Sequence, residues 1–213
     1  TPVRKNTMAT ITNLTGATDN SVQLLRLLQL TSSNLPVGAY SFSSGLEYAI
    51  DSQRLKTVAQ VQAWITEVSG TTLTYTDVPL IKRQYDCIEK SHWSELKRWN
   101  TQLLALRETR ELLQADIAMG QALLRLAGEF GVELPEFCLA SDEHPSPRVS
   151  YVTVFSLMAK HFDIPLLQAC MGHTWTLIEN QVLAATKLLP MGQTAAQKML
   201  AELLEPSVDC VKA

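Results

Sequence analysis

The sequence has few charged residues, no long apolar run and no excess of positive charge. Charged residues make up 18% of the 213 positions and hydrophobic residues 46%, which is the balance of a well-cored globular protein. No run of apolar residues reaches the length of a membrane span, so we predict no transmembrane helix. The formal net charge of −3 argues against binding to nucleic acid or to an anionic membrane surface.

The short motifs of common enzymes and nucleotide-binding proteins are also missing. The sequence contains no G-x-S-x-G for a nucleophilic serine and no glycine-rich phosphate-binding motif. It likewise lacks H-E-x-x-H, paired C-x-x-C motifs and an EF-hand loop. We therefore expect a protein that is not an enzyme and needs no cofactor. Any nucleotide that its function requires would be bound by another chain.

The cysteines are too scattered to form a recognisable disulfide framework. Cys87, Cys138 and Cys210 stand apart, as expected for reduced thiols in a cytoplasmic protein. Cys170 and His173 have the i, i+3 spacing that could place two metal ligands on one helix face. A buried thiol beside an unrelated histidine is the more ordinary explanation of a single C-x-x-H pair.

Helical periodicity predicts an all-α fold. Apolar residues recur at spacings of three and four along most of the chain, and no alternating strand pattern extends beyond a few residues. We predict a single-domain bundle of roughly eight to ten helices. The expected organisation is a disordered lead at 1–20, an all-helical domain at 21–205 and a short tail at 206–213.

Local signals predict where several helices begin and end. They are polar caps, Ser/Thr-x-x-Glu/Gln capping boxes, an Asp with a nearby proline, and a glycine before the last helix. The residues concerned are, in chain order, Asp19 or Asn20, Ser44 with Glu47, Thr57 with Gln60, Asp77 with Pro79, and Gly192. We also expect a connecting loop at 128–147, a helix break near Gly172 and an end to the last helix near residue 204.

Three segments are unusual for a plain helical bundle. Residues 35–47 combine glycines, a proline, aromatic residues and serines, which indicates a shaped loop. Residues 106–111 form a charged block in which Arg107 and Glu111 have i, i+4 spacing on a predicted helix. Residues 185–196 join a helix end, a Pro-x-Gly turn and a new helix start. The plainer alternatives are a packed turn, a solvated helix face and an ordinary helix stop.

Taken together and in this order, the three segments resemble the UreF family of urease accessory proteins. Residues 28–47 match its opening signature as L-Q-L-x-S-x-x-L-P-V-G-A-Y-S-x-S-x-G-L-E. Residues 107–110 match a short R-E-T-R block, and residues 187–197 match a late signature as K-L-L-P-x-G-Q-x-A-x-Q. The resemblance extends over about residues 24–204, nearly the whole chain.

This resemblance implies a homodimeric, non-catalytic scaffold in urease maturation. UreF-like proteins bind UreD, called UreH in some organisms, and recruit the nickel-carrying GTPase UreG to deliver nickel to apo-urease. Two alternatives stay open: activation of the UreG GTPase by Arg107 or Arg110 as an arginine finger, and a nickel-conducting chaperone. The residues expected near partner surfaces, or in the loops that form them, are Tyr40, Phe42, Glu47, Tyr48, Arg107, Glu108, Arg110, Lys187 and Gln193.

The C-terminal end departs from the family pattern. Family members often continue into an aromatic- and arginine-rich tail, whereas this chain stops soon after Pro206. We therefore expect residues 206–213 to be a short or truncated tail. Loss of a longer tail would impair binding of UreD and UreG but not the fold.

Overall fold

The computed structural model describes residues 17–39, 42–141 and 145–212, and every regular element within these ranges is helical. The α-helices are α1 (Ala17–Leu30), α2 (Leu46–Asp51), α3 (Val58–Thr72), α4 (Val78–Glu89), α5 (Trp93–Ala105), α6 (Arg110–Glu129), α7 (Tyr151–His161), α8 (Leu166–Leu188) and α9 (Gln193–Lys212). A π-helical segment, Leu73–Asp77, joins α3 to α4. A 3-10 turn, Glu136–Cys138, lies in the predicted connecting loop before α7. The all-α prediction, with its roughly eight to ten helices, is confirmed.

Helix α7 lies at the centre of the larger hydrophobic core. Every residue from 151 to 159 is buried, so this helix packs against neighbours on all sides instead of along one stripe. Helices α1, α4, α6 and α8 contact it. A second cluster of buried apolar residues lies among α2, α3, α8 and α9. The long helix α8 contributes to both clusters and joins them into one domain.

The predicted helix starts are only partly confirmed by the structure. Thr57 and Gln60 form the predicted capping box at the start of α3. The predicted box of Ser44 and Glu47 is wrong: Ser44 has φ +50°, and the Glu47 N–H donates to Ser43 Oγ at 3.3 Å. Gly45, with φ +89°, supplies the left-handed turn before α2. The first helix begins earlier than predicted, since Ala17–Leu30 already includes Asp19 and Asn20.

The two long C-terminal helices are more regular than their sequence predicts. Helix α8 runs unbroken through Gly172, where a Cβ atom would lie 2.6 Å from Leu27 Cδ1 of α1. Gly172 therefore lies where α1 packs closely against α8, and it does not break the helix. Helix α9 begins after Gly192 as predicted, but continues through Pro206 to Lys212. Residues 206–212 are thus helical, and Val211 is buried against the larger core.

Helix α6 approaches the start of α7 very closely at Gly120. A Cβ atom on Gly120 would overlap the Val149 carbonyl oxygen and lie 2.9 Å from Ser150 C and Tyr151 N. These neighbours are backbone atoms, so they cannot rotate away as a flexible side chain would. Gly120 therefore allows α6 to contact the first residues of α7.

We predict that Gly120→Ala destabilises the protein by about 3 kcal/mol, because the added methyl group forces two backbones apart. Gly128→Ala is the matched control on the same helix, where a Cβ atom meets nothing within 4 Å. The control is expected to gain about 0.5–1 kcal/mol from its better helix propensity. Urea denaturation measures both changes, and equal stability of the two variants would refute the close approach.

Candidate functional site

A cavity of about 330 Å³ lies between the loop before α2 and the helices that surround it. Its wall is built from α3 and the π-helical segment, the junction between α5 and α6, α6 itself, the start of α7, and α8. Most of these elements are distant in sequence. A cluster of buried charged side chains forms one side of the wall and joins several of them.

Arg107 is the centre of this cluster. Its Nη1 atom lies 3.0 Å from Asp77 Oδ1, and its Nε atom lies 3.0 Å from Asp116 Oδ2. The Arg107 side chain is 14% exposed, and those of Asp77 and Asp116 are 3% and 5% exposed. The predicted helical position of Arg107 is wrong, because α5 ends at Ala105 and α6 begins at Arg110. The guanidinium thus points into the protein and is not part of a solvated helix face.

Asp77 reaches the cluster from the π-helical segment. The predicted start of a helix after Asp77 is confirmed, since α4 begins at Val78, but the Asp77 side chain accepts no hydrogen bond from the start of α4. Asp77 Oδ2 instead lies 2.8 Å from His173 Nε2 on α8. A π-helical turn changes the register of the side chains that follow it, and such turns often occur at functional sites.

Asp116 connects the cluster to the start of α7. Its Oδ1 atom accepts hydrogen bonds from Ser150 Oγ at 3.1 Å and from the Tyr151 N–H at 2.9 Å. Asn100 of α5 binds the backbone of the same segment. Its side chain accepts a hydrogen bond from the Ser150 N–H at 2.9 Å and donates one to the Arg148 carbonyl at 3.0 Å. The start of the buried helix α7 is therefore held by polar groups from both α5 and α6.

The cluster is ionic at neutral pH. Burial alone would raise the pKa of Asp77, but Arg107 and His173 outweigh it and lower that pKa to about 2 from the ordinary 3.8. Burial also opposes the charge of Arg107, yet the two carboxylates raise the pKa of its guanidinium. Because Asp77 is ionised, His173 Nε2 must carry the proton that it donates to this carboxylate.

Cys170 and His173, the candidate metal ligands, lie in different parts of the structure. His173 lines the cavity, and its ring packs 5.7 Å from that of Phe155 and 6.2 Å from that of Tyr151. Cys170 belongs to the hydrophobic core, where burial raises its pKa to about 11. Within the described residues no group of three or more His, Cys, Asp or Glu side chains is arranged to hold a metal ion.

The residues expected near partner surfaces are only partly brought together. Phe42, Arg107 and Glu108 line the cavity. Five others lie on exposed surfaces and do not line it: Glu47, Tyr48, Arg110, Lys187 and Gln193. Tyr40 lies outside the described residues. Sequence reasoning missed Asp116 altogether and used Asp77 only to place the start of a helix, because neither has a local sequence signal for a contact with Arg107.

The fold and the cavity define an all-helical protein organised around a buried ionic cluster. No helix in the described part of the chain is long and apolar enough to cross a membrane. The family model named UreF matches residues 55–204. The chain belongs to the UreF family, which confirms the resemblance of its three segments.

Relatives with the same name cover most of the chain. The urease accessory protein UreF of Marinomonas sp. (strain MWYL1) is 41% identical over 196 residues, which are 92% of this chain and 81% of that protein. The urease accessory protein UreF of Teredinibacter turnerae is 39% identical over 183 residues, 86% of this chain and 80% of that protein. That of Hahella chejuensis is 37% identical over 190 residues, with corresponding coverages of 89% and 83%.

We predict that Arg107→Ala lowers the free energy of unfolding by about 3–5 kcal/mol, since it leaves two buried carboxylates without their cation. Arg110→Ala is the matched control, because Arg110 is exposed at the start of α6. The control should change stability by less than about 0.5 kcal/mol. Denaturant titrations at neutral pH measure both, and a small effect of Arg107→Ala would contradict the ionic cluster.

Proposed function

We propose that this protein is a urease accessory protein that acts as a non-catalytic cytoplasmic scaffold. In this proposal a homodimer of the chain binds UreD (UreH), recruits the UreG GTPase and assists nickel insertion into apo-urease. The observation that carries the proposal is the UreF family match over residues 55–204. The relatives at 37–41% identity, all named urease accessory protein UreF, support it.

Exposed apolar side chains support a role in assembly. Helix α1 presents four of them to solvent, with exposed fractions of 51–64%: Val22, Leu24, Leu25 and Leu28. Tyr48 on α2 is 65% exposed, and its ring lies 5.6 Å from the Arg54 guanidinium. Exposed apolar side chains grouped on one helix, as on α1, are typical of protein–protein contacts. We therefore favour binding of partner chains over chemistry within this one.

The GTPase-activating alternative now depends on Arg110. An arginine finger must reach into the active site of another protein, and Arg107 would have to break both buried ion pairs to do so. Arg110 is exposed and does not line the cavity. The alternative of nickel storage by Cys170 and His173 is weakened, since only His173 lines the cavity.

Co-purification with UreD and UreG of the same organism tests the proposal. We expect the full chain to co-elute with UreD in size-exclusion chromatography and then to retain UreG, because a scaffold must bind both partners. A correctly folded chain that binds neither partner would rule out the scaffold.

The same assembled complex separates the scaffold from a GTPase activator. If the chain is only a scaffold, the rate of GTP hydrolysis by UreG in the complex is unchanged by Arg110→Ala. A large loss of hydrolysis in that variant, with assembly intact, would favour the arginine-finger role, since such residues contribute about 10³–10⁵ in rate.

A further inference from the structure

The cavity wall carries more negative charge than the protein itself neutralises. Four carboxylates line it, those of Glu67, Asp77, Glu108 and Asp116, and the only lysine or arginine among its described lining residues is Arg107. The formal charge of these four carboxylates and one guanidinium is four negative charges less one positive charge, or −3. Arg107 is already bound to Asp77 and Asp116, so it is not available to Glu67 and Glu108, which carry two of these three negative charges.

Glu67 and Glu108 lie at the open side of the cavity. Both residues are exposed, whereas Asp77 and Asp116 are buried behind them. Neither Glu67 nor Glu108 has an ion pair or hydrogen bond through its carboxylate with another described residue. The cavity entrance therefore has two carboxylates available to a cation from outside.

Apolar surface lies beside these carboxylates. Phe42, Leu112, Met119 and Leu177 are among the lining residues, and Leu106 at the same site is 45% exposed. A lysine or arginine side chain matches both features of the cavity, because its aliphatic stem packs on apolar surface and its charged end pairs with carboxylates. The cavity volume of about 330 Å³ is at the small end of ligand pockets, which suits one inserted side chain.

We propose that this cavity binds a lysine or arginine side chain of a partner protein, with Glu67 and Glu108 pairing to its charged end. The inference rests on the proposed scaffold function and adds the chemistry of one contact. A metal ion is a poorer occupant, because the described residues offer no group of three or more metal-ligating side chains. Phe42 and Glu108, both expected near a partner surface, lie at this cavity.

Charge reversal at the cavity tests this contact. The double variant Glu67→Lys with Glu108→Lys is compared with Glu129→Lys with Glu133→Lys, which makes the same change of net charge at exposed positions outside the cavity lining. Affinities for UreD and for UreG added to the UreD complex are measured by titration calorimetry at low and physiological salt. Circular dichroism confirms that each variant is folded.

We expect the cavity variant to bind one of the two partners at least roughly tenfold more weakly, and to lose much of the salt dependence seen with the wild type. The control variant should stay within about twofold of the wild type, since charges away from an interface contribute little. The neutral variant Glu67→Gln with Glu108→Gln should fall between the two, because it removes attraction without adding repulsion.

If the wild type and the cavity variant bind both partners with equal affinity, the inference is overturned, whereas the proposed scaffold function is unaffected. Failure of the wild type to bind either partner contradicts both. Stoichiometric Ni²⁺ binding that the cavity variant loses, with partner affinities unchanged, would assign the carboxylates to a metal and likewise overturn the inference.

Discussion

The contact of Arg107 with Asp77 and Asp116 is the interaction on which the rest of the site depends. Two carboxylates and one guanidinium are buried together, and charges are tolerated in a protein interior only when they are paired and hydrogen-bonded. Each partner also binds elsewhere: Asp77 to His173 on α8, and Asp116 to the start of α7. The ionic cluster thereby joins the π-helical segment, the α5–α6 junction, α6, α7 and α8 around one cavity.

This arrangement gives a well-defined cavity to a protein whose sequence lacks the common catalytic motifs. Arg107 points inward, and the adjacent Glu108 is held at the cavity entrance beside Phe42. The buried charged groups thus hold the shape of the cavity, while Glu67 and Glu108 are exposed at its open side. In the proposed scaffold role this division would favour partner binding, because a surface that is already in place costs less to order on binding.

The fold class and the three segments that carry the family resemblance were predictable from the sequence, whereas the side-chain contacts within the site were not. Helical periodicity and the Thr57 capping box are local properties, and both hold in the structure. The ion pairs of Arg107 span 30 and 9 residues, and the contact of His173 with Asp77 spans 96. Pro79 near Asp77 therefore indicates only where α4 begins, and the sequence predicts an end to the last helix near residue 204 that the structure does not show. Tertiary packing overrides these local preferences, as burial of Val211 does for the last turns of α9.

The pH dependence of stability tests the ionic cluster most directly. The pKa of Asp77 is about 2 in the folded protein and ordinarily 3.8, so its ionisation stabilises the fold above pH 4 and this contribution is lost as the pH falls towards 2. The free energy of unfolding should be measured by urea titration between pH 6 and pH 2 for the wild type and Asp77→Asn. The account predicts that their difference shrinks by about 2 kcal/mol over that range. A difference that stays constant with pH would contradict it.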